Sequence, residues 1–308
     1  MNGLIRKKIA FLIFVVFLLI PLFFLSSESS FAAGGGKEGE TLSIAVIPFE
    51  EVQLTAKKFQ GVVRALEEVT GRKVEWFFPT SYASLIEAQS RGFIQIGYYG
   101  PRSYVDAHKN SDGKIEAFAQ AMWGGGPYRE KKPGYHSYLI VKADSTYKSV
   151  ADLKGKVIAL TDPASTSGDL IPKVQMGKHL GMKISKYFSK TFYAGGHDAA
   201  ALSILEKRAD AAFVADVTLD WAVDAGRFGP KDFRIIWKST LLPLDPFAWR
   251  TDLPDDLKQS IKKAFLSLNE TDYGKAYLKA VRSDSIELCK DSDYDPIREA
   301  YSDIEKWE

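Results

Sequence analysis

Thr161-Asp162-Pro163-Ala164-Ser165-Thr166-Ser167-Gly168 places three hydroxyl residues together, directly after an apolar run that ends at Leu160. A helical pattern follows it. A loop that opens a helix carries unpaired N–H groups and the positive end of the helix dipole, so it favours an anion. Hydroxyl groups add donors that rotate to suit the ligand. The plainer alternative is a helix cap with spare serines. A second turn of this kind, Tyr193-Ala194-Gly195-Gly196-His197-Asp198-Ala199-Ala200, also follows a strand-like run and opens a helix. His197 there is either a donor to an oxyanion or a cap. Two such turns from neighbouring strand–helix units converge at the carboxyl edge of one sheet, where open α/β sheets bind ligands.

Other chemistry finds little support. The sequence has no G-x-S-x-G, H-E-x-x-H or G-x-x-x-x-G-K-[ST]. Its four histidines (108, 136, 179 and 197) are not at metal-ligand spacing. No pair of carboxylates stands out. The expectation is binding without catalysis, with no cofactor and no metal.

The elements that must position these turns alternate. Leu42 to Ile47 reads as a buried strand. Residues 55–69 carry Phe59, Val62, Val63, Leu66 and Val69 at helical spacing, ended by Gly71. Val74 to Phe78, Tyr82 to Gln89 and Phe93 to Tyr99 continue as strand, helix and strand. This rhythm predicts an α/β fold with mostly parallel sheets flanked by helices. A Gly- and Pro-rich loop at 123–134 marks a first crossover between two lobes. A second α/β rhythm follows: strand 157–160, helix 170–180 with Pro172 in its first turn, helix 197–208, and strands 211–214 and 233–237. Residues 254–308 read as helical and polar. Lobe one is therefore expected at 41–137 plus 240–308 and lobe two at 138–239. A double crossover lets such lobes close on a ligand.

Composition sets outer bounds. The 308 residues are 45% hydrophobic and 26% charged, ordinary for a packed protein of about two domains. Net charge is +2, and residues 1–33 account for it through Arg6, Lys7 and Lys8 against Glu28. The remainder is near neutral and has no basic stripe, which argues against nucleic acid. Arg6-Lys7-Lys8, the apolar run Ile9 to Leu25 and the small residues Ser30-Phe31-Ala32 read as an export signal at 1–32, cleaved after Ala32. An uncleaved anchor is the alternative. A flexible leader spans 33–40. The one cysteine, Cys289, is far from the signal, so no lipid anchor and no internal disulfide are expected. The expected location is a periplasm.

Segments across residues 41–250 then resemble one family. Asp162 to Gly168 looks like the anion loop of the phosphate/phosphite/phosphonate-binding components of ABC transporters. Tyr98-Tyr99-Gly100, Pro133-Gly134-Tyr135, Gly196-His197-Asp198, Ile236-Trp237-Lys238-Ser239 and Leu244 to Arg250 come in the family's order. The resemblance implies a two-lobed periplasmic-binding fold. It also implies oxyanion ligands at Ser165, Thr166, Ser167 and His197, tyrosines from lobe one at Tyr82 and Tyr99, and a carboxylate at Asp245. Members that take aminoalkyl phosphonates carry a Glu where an ungapped reading puts Val217, beside Asp216. Asp216 is expected either to accept a hydrogen bond from the ligand or to cap a helix. Asp245 and Asp216 are expected to be ionised at neutral pH and so to reject sulfate. The expected ligand is phosphite, methylphosphonate or a related phosphonate, delivered by a monomer to ABC-transporter membrane subunits. Alternatives are another small anion (phosphate, a sulfonate), a pyrimidine precursor, a ligand-sensing ectodomain and an envelope hydrolase.

Overall fold

The computed structural model describes residues 41–308. The expected signal and leader lie outside the described residues. No helix among the described residues is long and apolar enough to cross a membrane.

The chain first lays down β1 (Thr41–Val46), α1 (Val52–Thr70), β2 (Lys73–Phe77), α2 (Tyr82–Ser90), β3 (Ile96–Tyr98), α3 (Pro101–Asn110) and β4 (Ile115–Trp123). It crosses to β5 (Ser137–Lys142) and β6 (Val157–Leu160), then winds through π-helical turns at Thr166–Leu170 and Pro172–Met176. Next come α4 (Gly177–Leu180), α5 (Ile184–Tyr187), β7 (Lys190–Tyr193), α6 (His197–Leu205), β8 (Ala211–Ala215), α7 (Asp216–Asp224) and β9 (Phe233–Lys238). It returns for β10 (Pro246–Arg250), α8 (Asp255–Leu266), α9 (Asp272–Ala280), β11 (Ser283–Leu288), α10 (Asp295–Ser302) and α11 (Ile304–Trp307).

Two sheets result, in the orders β11-β4-β10-β3-β1-β2 and β7-β6-β8-β5-β9. The βαβ portions pair in parallel, β1 with β2 and β3, and β6 with β7 and β8. The strands flanking each crossing add antiparallel pairs: β10 with β3 and β4, and β5 with β8 and β9. The antiparallel share is thus larger than the alternating pattern suggested, because each returning strand enters its sheet from the opposite end. The two crossings pair with one another. Tyr135 N–H donates to Leu242 O at 3.0 Å, and Leu242 N–H returns to Tyr135 O at 2.8 Å.

Local chemistry explains the main elements. α1 buries Phe59, Val62, Ala65 and Leu66 on one face and stops at Gly71, whose φ of 66° suits glycine. β11 corrects the all-helical expectation for 254–308. Its sequence Ser-Asp-Ser-Ile-Glu-Leu is polar, and only Ile286 is buried. It is an edge strand against β4, so its outer side has no core to match.

The expected helix at 170–180 begins as π-helix. Pro172 has no N–H, and its ring would meet the carbonyl four residues back in an α-helix. That carbonyl, of Gly168, instead accepts the Thr161 N–H at 3.2 Å. The ladder shifts to five-residue steps, with Leu170 N–H on Ser165 O at 3.1 Å and Ile171 N–H on Thr166 O.

The two sheets' facing edges touch. Phe49 O accepts the His197 N–H at 2.9 Å, the rings of Phe49 and Trp221 lie 5.2 Å apart, and Arg227 pairs with Glu51 at 2.9 Å.

Candidate functional site

A cavity lies where the sheets' carboxyl edges meet. It is lined by Ile47, Phe49, Tyr82, Gly100, Tyr135, Ser165, Thr166, Ser167, His197, Ala215, Thr218 and Asp245. Its empty volume, mouth included, is about 280 Å³. Because that figure includes the open mouth, the enclosed space is smaller still and suits a compact ligand.

Helix starts surround it. Tyr82 opens α2, Gly100 caps α3, Ser165 caps the π-helical stretch, His197 opens α6 and Ala215 precedes α7. Several first-turn N–H groups already have partners, such as Arg102 N–H on Thr166 Oγ1 and His197 N–H on Phe49 O, and each start adds the positive end of its dipole. Together they make the cavity attractive to an anion.

The side chains add directed donors. Ser165 does cap its helix, because its Oγ accepts the Gly168 N–H at 3.0 Å. It also lines the cavity, so the cap and the ligand reading are both open to it. Thr166 Oγ1 accepts the Arg102 N–H at 2.8 Å, which leaves its own proton to give. His197 Nδ1 accepts the Ala215 N–H at 3.1 Å. Thr161 Oγ1, also 3.1 Å from Nδ1, donates to Phe213 O at 3.2 Å. The ring proton is therefore on Nε2. Burial pushes the His197 pKa down to about 3, so it is a neutral N–H donor at physiological pH.

Tyr82 Oη is buried with no hydrogen-bond partner among the described residues. Burial raises its pKa well above the usual range, and Asp162 and Asp245 add to this. It is a phenol with a proton to donate and no partner within hydrogen-bond reach among the described residues.

Two expected residues are elsewhere. Tyr99 does not line the cavity. Its Oη donates to Gln89 Oε1 at 2.6 Å, in the core between α2 and β3. Successive residues of an extended strand point to opposite faces, and this one faces the helix. Asp216 does not line it either. Its Oδ2 accepts the His136 N–H at 3.1 Å, and its Oδ1 lies 3.4 Å from Arg129 Nη1. Burial raises its pKa to about 6, against the lowering effect of Arg129.

Asp245 lines the cavity, where its surroundings oppose the expected charge. Burial, and secondarily Asp216, push its pKa well above the usual carboxylate range. This favours the protonated form of the carboxyl, which can donate as well as accept. The same burial works against the charge repulsion expected to reject sulfate.

Tyr135 was not anticipated as a lining residue. It follows Pro133-Gly134 at the first crossing and reaches the hydroxyls of Thr166 and Ser167. A Cβ at Gly134 would press on Leu241 and on the backbone of Leu242, so the turn that aims Tyr135 requires glycine. The Pro-Gly-Tyr triplet was the available signal. No cluster of His, Cys, Asp and Glu suited to a metal occurs among the described residues.

Known proteins resemble this chain closely. The family model described as ABC transporter, phosphonate, periplasmic substrate-binding protein matches residues 44–294. The phosphonates-binding periplasmic protein of Escherichia coli K12 is 31% identical, over 97% of this chain and 84% of its own. The phosphate-import protein PhnD of Mycolicibacterium smegmatis is 31% identical, over 73% of this chain and 71% of its own. Among solved structures, a binding protein component of an ABC phosphonate transporter from Pseudomonas aeruginosa superposes with a TM-score of 0.76 at 25% identity, covering 85% of this chain and 86% of that one. PhnD1 from Prochlorococcus marinus in complex with methylphosphonate gives 0.77 at 17% identity, covering 87% and 99%.

Proposed function

Since this chain belongs to the phosphonate family of ABC-transporter periplasmic substrate-binding proteins, we propose that its cavity captures a small phosphorus oxyanion and delivers it to the membrane subunits of an ABC transporter. The observation that carries this reading is the set of donors converging on one small cavity: Ser165, Thr166, Ser167 and His197 from one sheet's helices, with Tyr82 and Tyr135 opposite. The carboxyl of Asp245, which burial biases toward its protonated form, completes it. It donates to an unprotonated oxygen or accepts from a P–OH group, so phosphite, phosphate and methylphosphonate monoanions and dianions all find partners.

Val217 is fully buried in the core, and Asp216 is occupied by Arg129. Neither position therefore supplies the carboxylate an ammonium tail would need, so 2-aminoethylphosphonate should bind more weakly than methylphosphonate. The protein acts as an exported monomer, its N-terminal 32 residues removed and no lipid attached, with residues 41–137 plus 240–308 and residues 138–239 closing as two lobes.

Calorimetry at pH 7 with phosphite, methylphosphonate, phosphate, 2-aminoethylphosphonate and sulfate tests this. Small-angle scattering with the tightest binder should show a smaller radius of gyration. If no phosphorus compound binds, the reading is wrong. Tightest binding of the aminoethyl compound would overturn only the ligand choice.

A further inference from the structure

Arg102 and Asp169 meet across the cleft, immediately behind the cavity. Arg102 lies two residues past Gly100 in α3, and Asp169 three residues past Thr166 in the π-helical stretch. Arg102 Nη1 donates to Asp169 Oδ2 at 2.5 Å, and both side chains are buried. Each also has partners on its own side. Asp106 Oδ2 lies 3.7 Å from Arg102 Nε, and the guanidinium sits 5.0 Å from the Tyr301 ring. Lys173 Nζ is 3.1 Å from Asp169 Oδ1, which also accepts from Tyr193 Oη at 2.7 Å.

We propose that the Arg102–Asp169 pair is a closure latch, made when the lobes come together, that sets how long the bound ligand stays. The proposal rests on the binding function argued above. Removing one partner of a buried ion pair is normally costly, because a bare charge is left behind. Separation of these lobes leaves no such charge. Asp169 keeps Lys173 and Tyr193, while Arg102 keeps Asp106 and the Tyr301 ring. Opening is therefore permitted, and closing adds a charge-assisted contact.

Register ties the latch to the ligand. Thr166 and Asp169 ride on one turn, and Gly100 caps α3 while Arg102 rides on its first turn. A ligand that draws Thr166 toward α3 brings Asp169 to Arg102 in the same movement. The hydrogen bond from Arg102 N–H to Thr166 Oγ1 runs alongside the ion pair. Occupancy of the cavity and formation of the pair thus favour each other, which is a coupling between two sites. Arg102 acts here as a positioning residue, not as a ligand.

Arg102→Met isolates the guanidinium, since it keeps the stem and the backbone N–H. Stopped-flow tryptophan fluorescence with phosphite, methylphosphonate and phosphate would give kon and koff for each. The expected result is koff raised about ten-fold, kon within about two-fold, and an unchanged Tm for the protein without ligand. Arg102→Lys, which keeps the charge and loses the fork, should fall between, and serves if the Met variant does not fold. Wild-type koff in these variants, or a fall in kon and in the ligand-free Tm without a change in koff, would overturn the latch. If wild-type protein binds none of the three probes, the binding function and the latch fail together.

Discussion

The backbone N–H of Ala215 donates to Nδ1 of His197, fixing the imidazole as a neutral donor through Nε2. His197 titrates near pH 3 when folded and near ~6.5 when unfolded. The unfolded chain therefore takes up a proton first as pH falls, and stability drops between those values. By pH 4.5 the loss is on the order of 2–3 kcal/mol. His197→Gln, whose Nε2 can replace the lost donor, should remove this part of the acid sensitivity while keeping most of the affinity. His197→Leu should weaken binding by ten-fold or more, at ~1.4 kcal/mol per decade. Thermal unfolding from pH 7.5 to 4.5 checks the first statement; equal acid losses in wild type and the Gln variant would refute it.

Thr166 joins both sides of the cleft and still has a proton to donate. Hydrogen bonds to charged groups contribute ~1.5–3 kcal/mol. Thr166→Ala should therefore weaken binding ten-fold or more, and Thr166→Ser should stay near wild type. Calorimetry showing unchanged affinity for the Ala variant would remove Thr166 from the site.

Tyr82→Phe and Tyr99→Phe should separate cleanly. Tyr82→Phe removes an unpartnered donor from the cavity and should cost affinity with little change in Tm. Tyr99→Phe leaves Gln89 Oε1 buried and unpaired, while Gln89 Nε2 stays bound to Gln95 O and Ala248 O. It should cost ~1–3 kcal/mol of stability and leave affinity alone. A reversed pattern would return Tyr99 to the ligand.

Asp245 should take up a proton when the cleft closes. In an open cleft water would favour the ionised form, and burial reverses this. Calorimetry at pH 8 in buffers of different ionisation enthalpy should report net proton uptake, and Asp245→Asn should reduce it. The same buffer dependence in the Asn variant would place the proton elsewhere.

The anion loop and the Gly-Gly-His turn were legible because strand, turn and helix each leave a distinct residue pattern. Tyr99 was misplaced because a one-residue step along a strand changes the face, and β3 is only three residues long. Tyr135 was missed because a crossing has no periodicity to read. The π-helical turns needed a three-dimensional fact, that Thr161 claims the Gly168 carbonyl. Charge states were the least legible. Asp245 and His197 are ordinary titratable residues on paper, and only burial keeps His197 neutral and pushes the Asp245 pKa up.

None of the described residues lining the cavity is lysine or arginine. A captured anion is held by peptide dipoles and neutral O–H and N–H groups, whose pull fades within about one helical turn. Such a grip does not stretch. Once a membrane partner pries the two halves apart by a few ångströms, the cargo faces water with no countercharge following it. Ejection then needs neither a competing ion nor a titration step, only mechanical work on the hinge. The lining also exerts no long-range attraction of its own on the incoming anion, so capture should proceed at nearly the same rate in dilute and in salty surroundings.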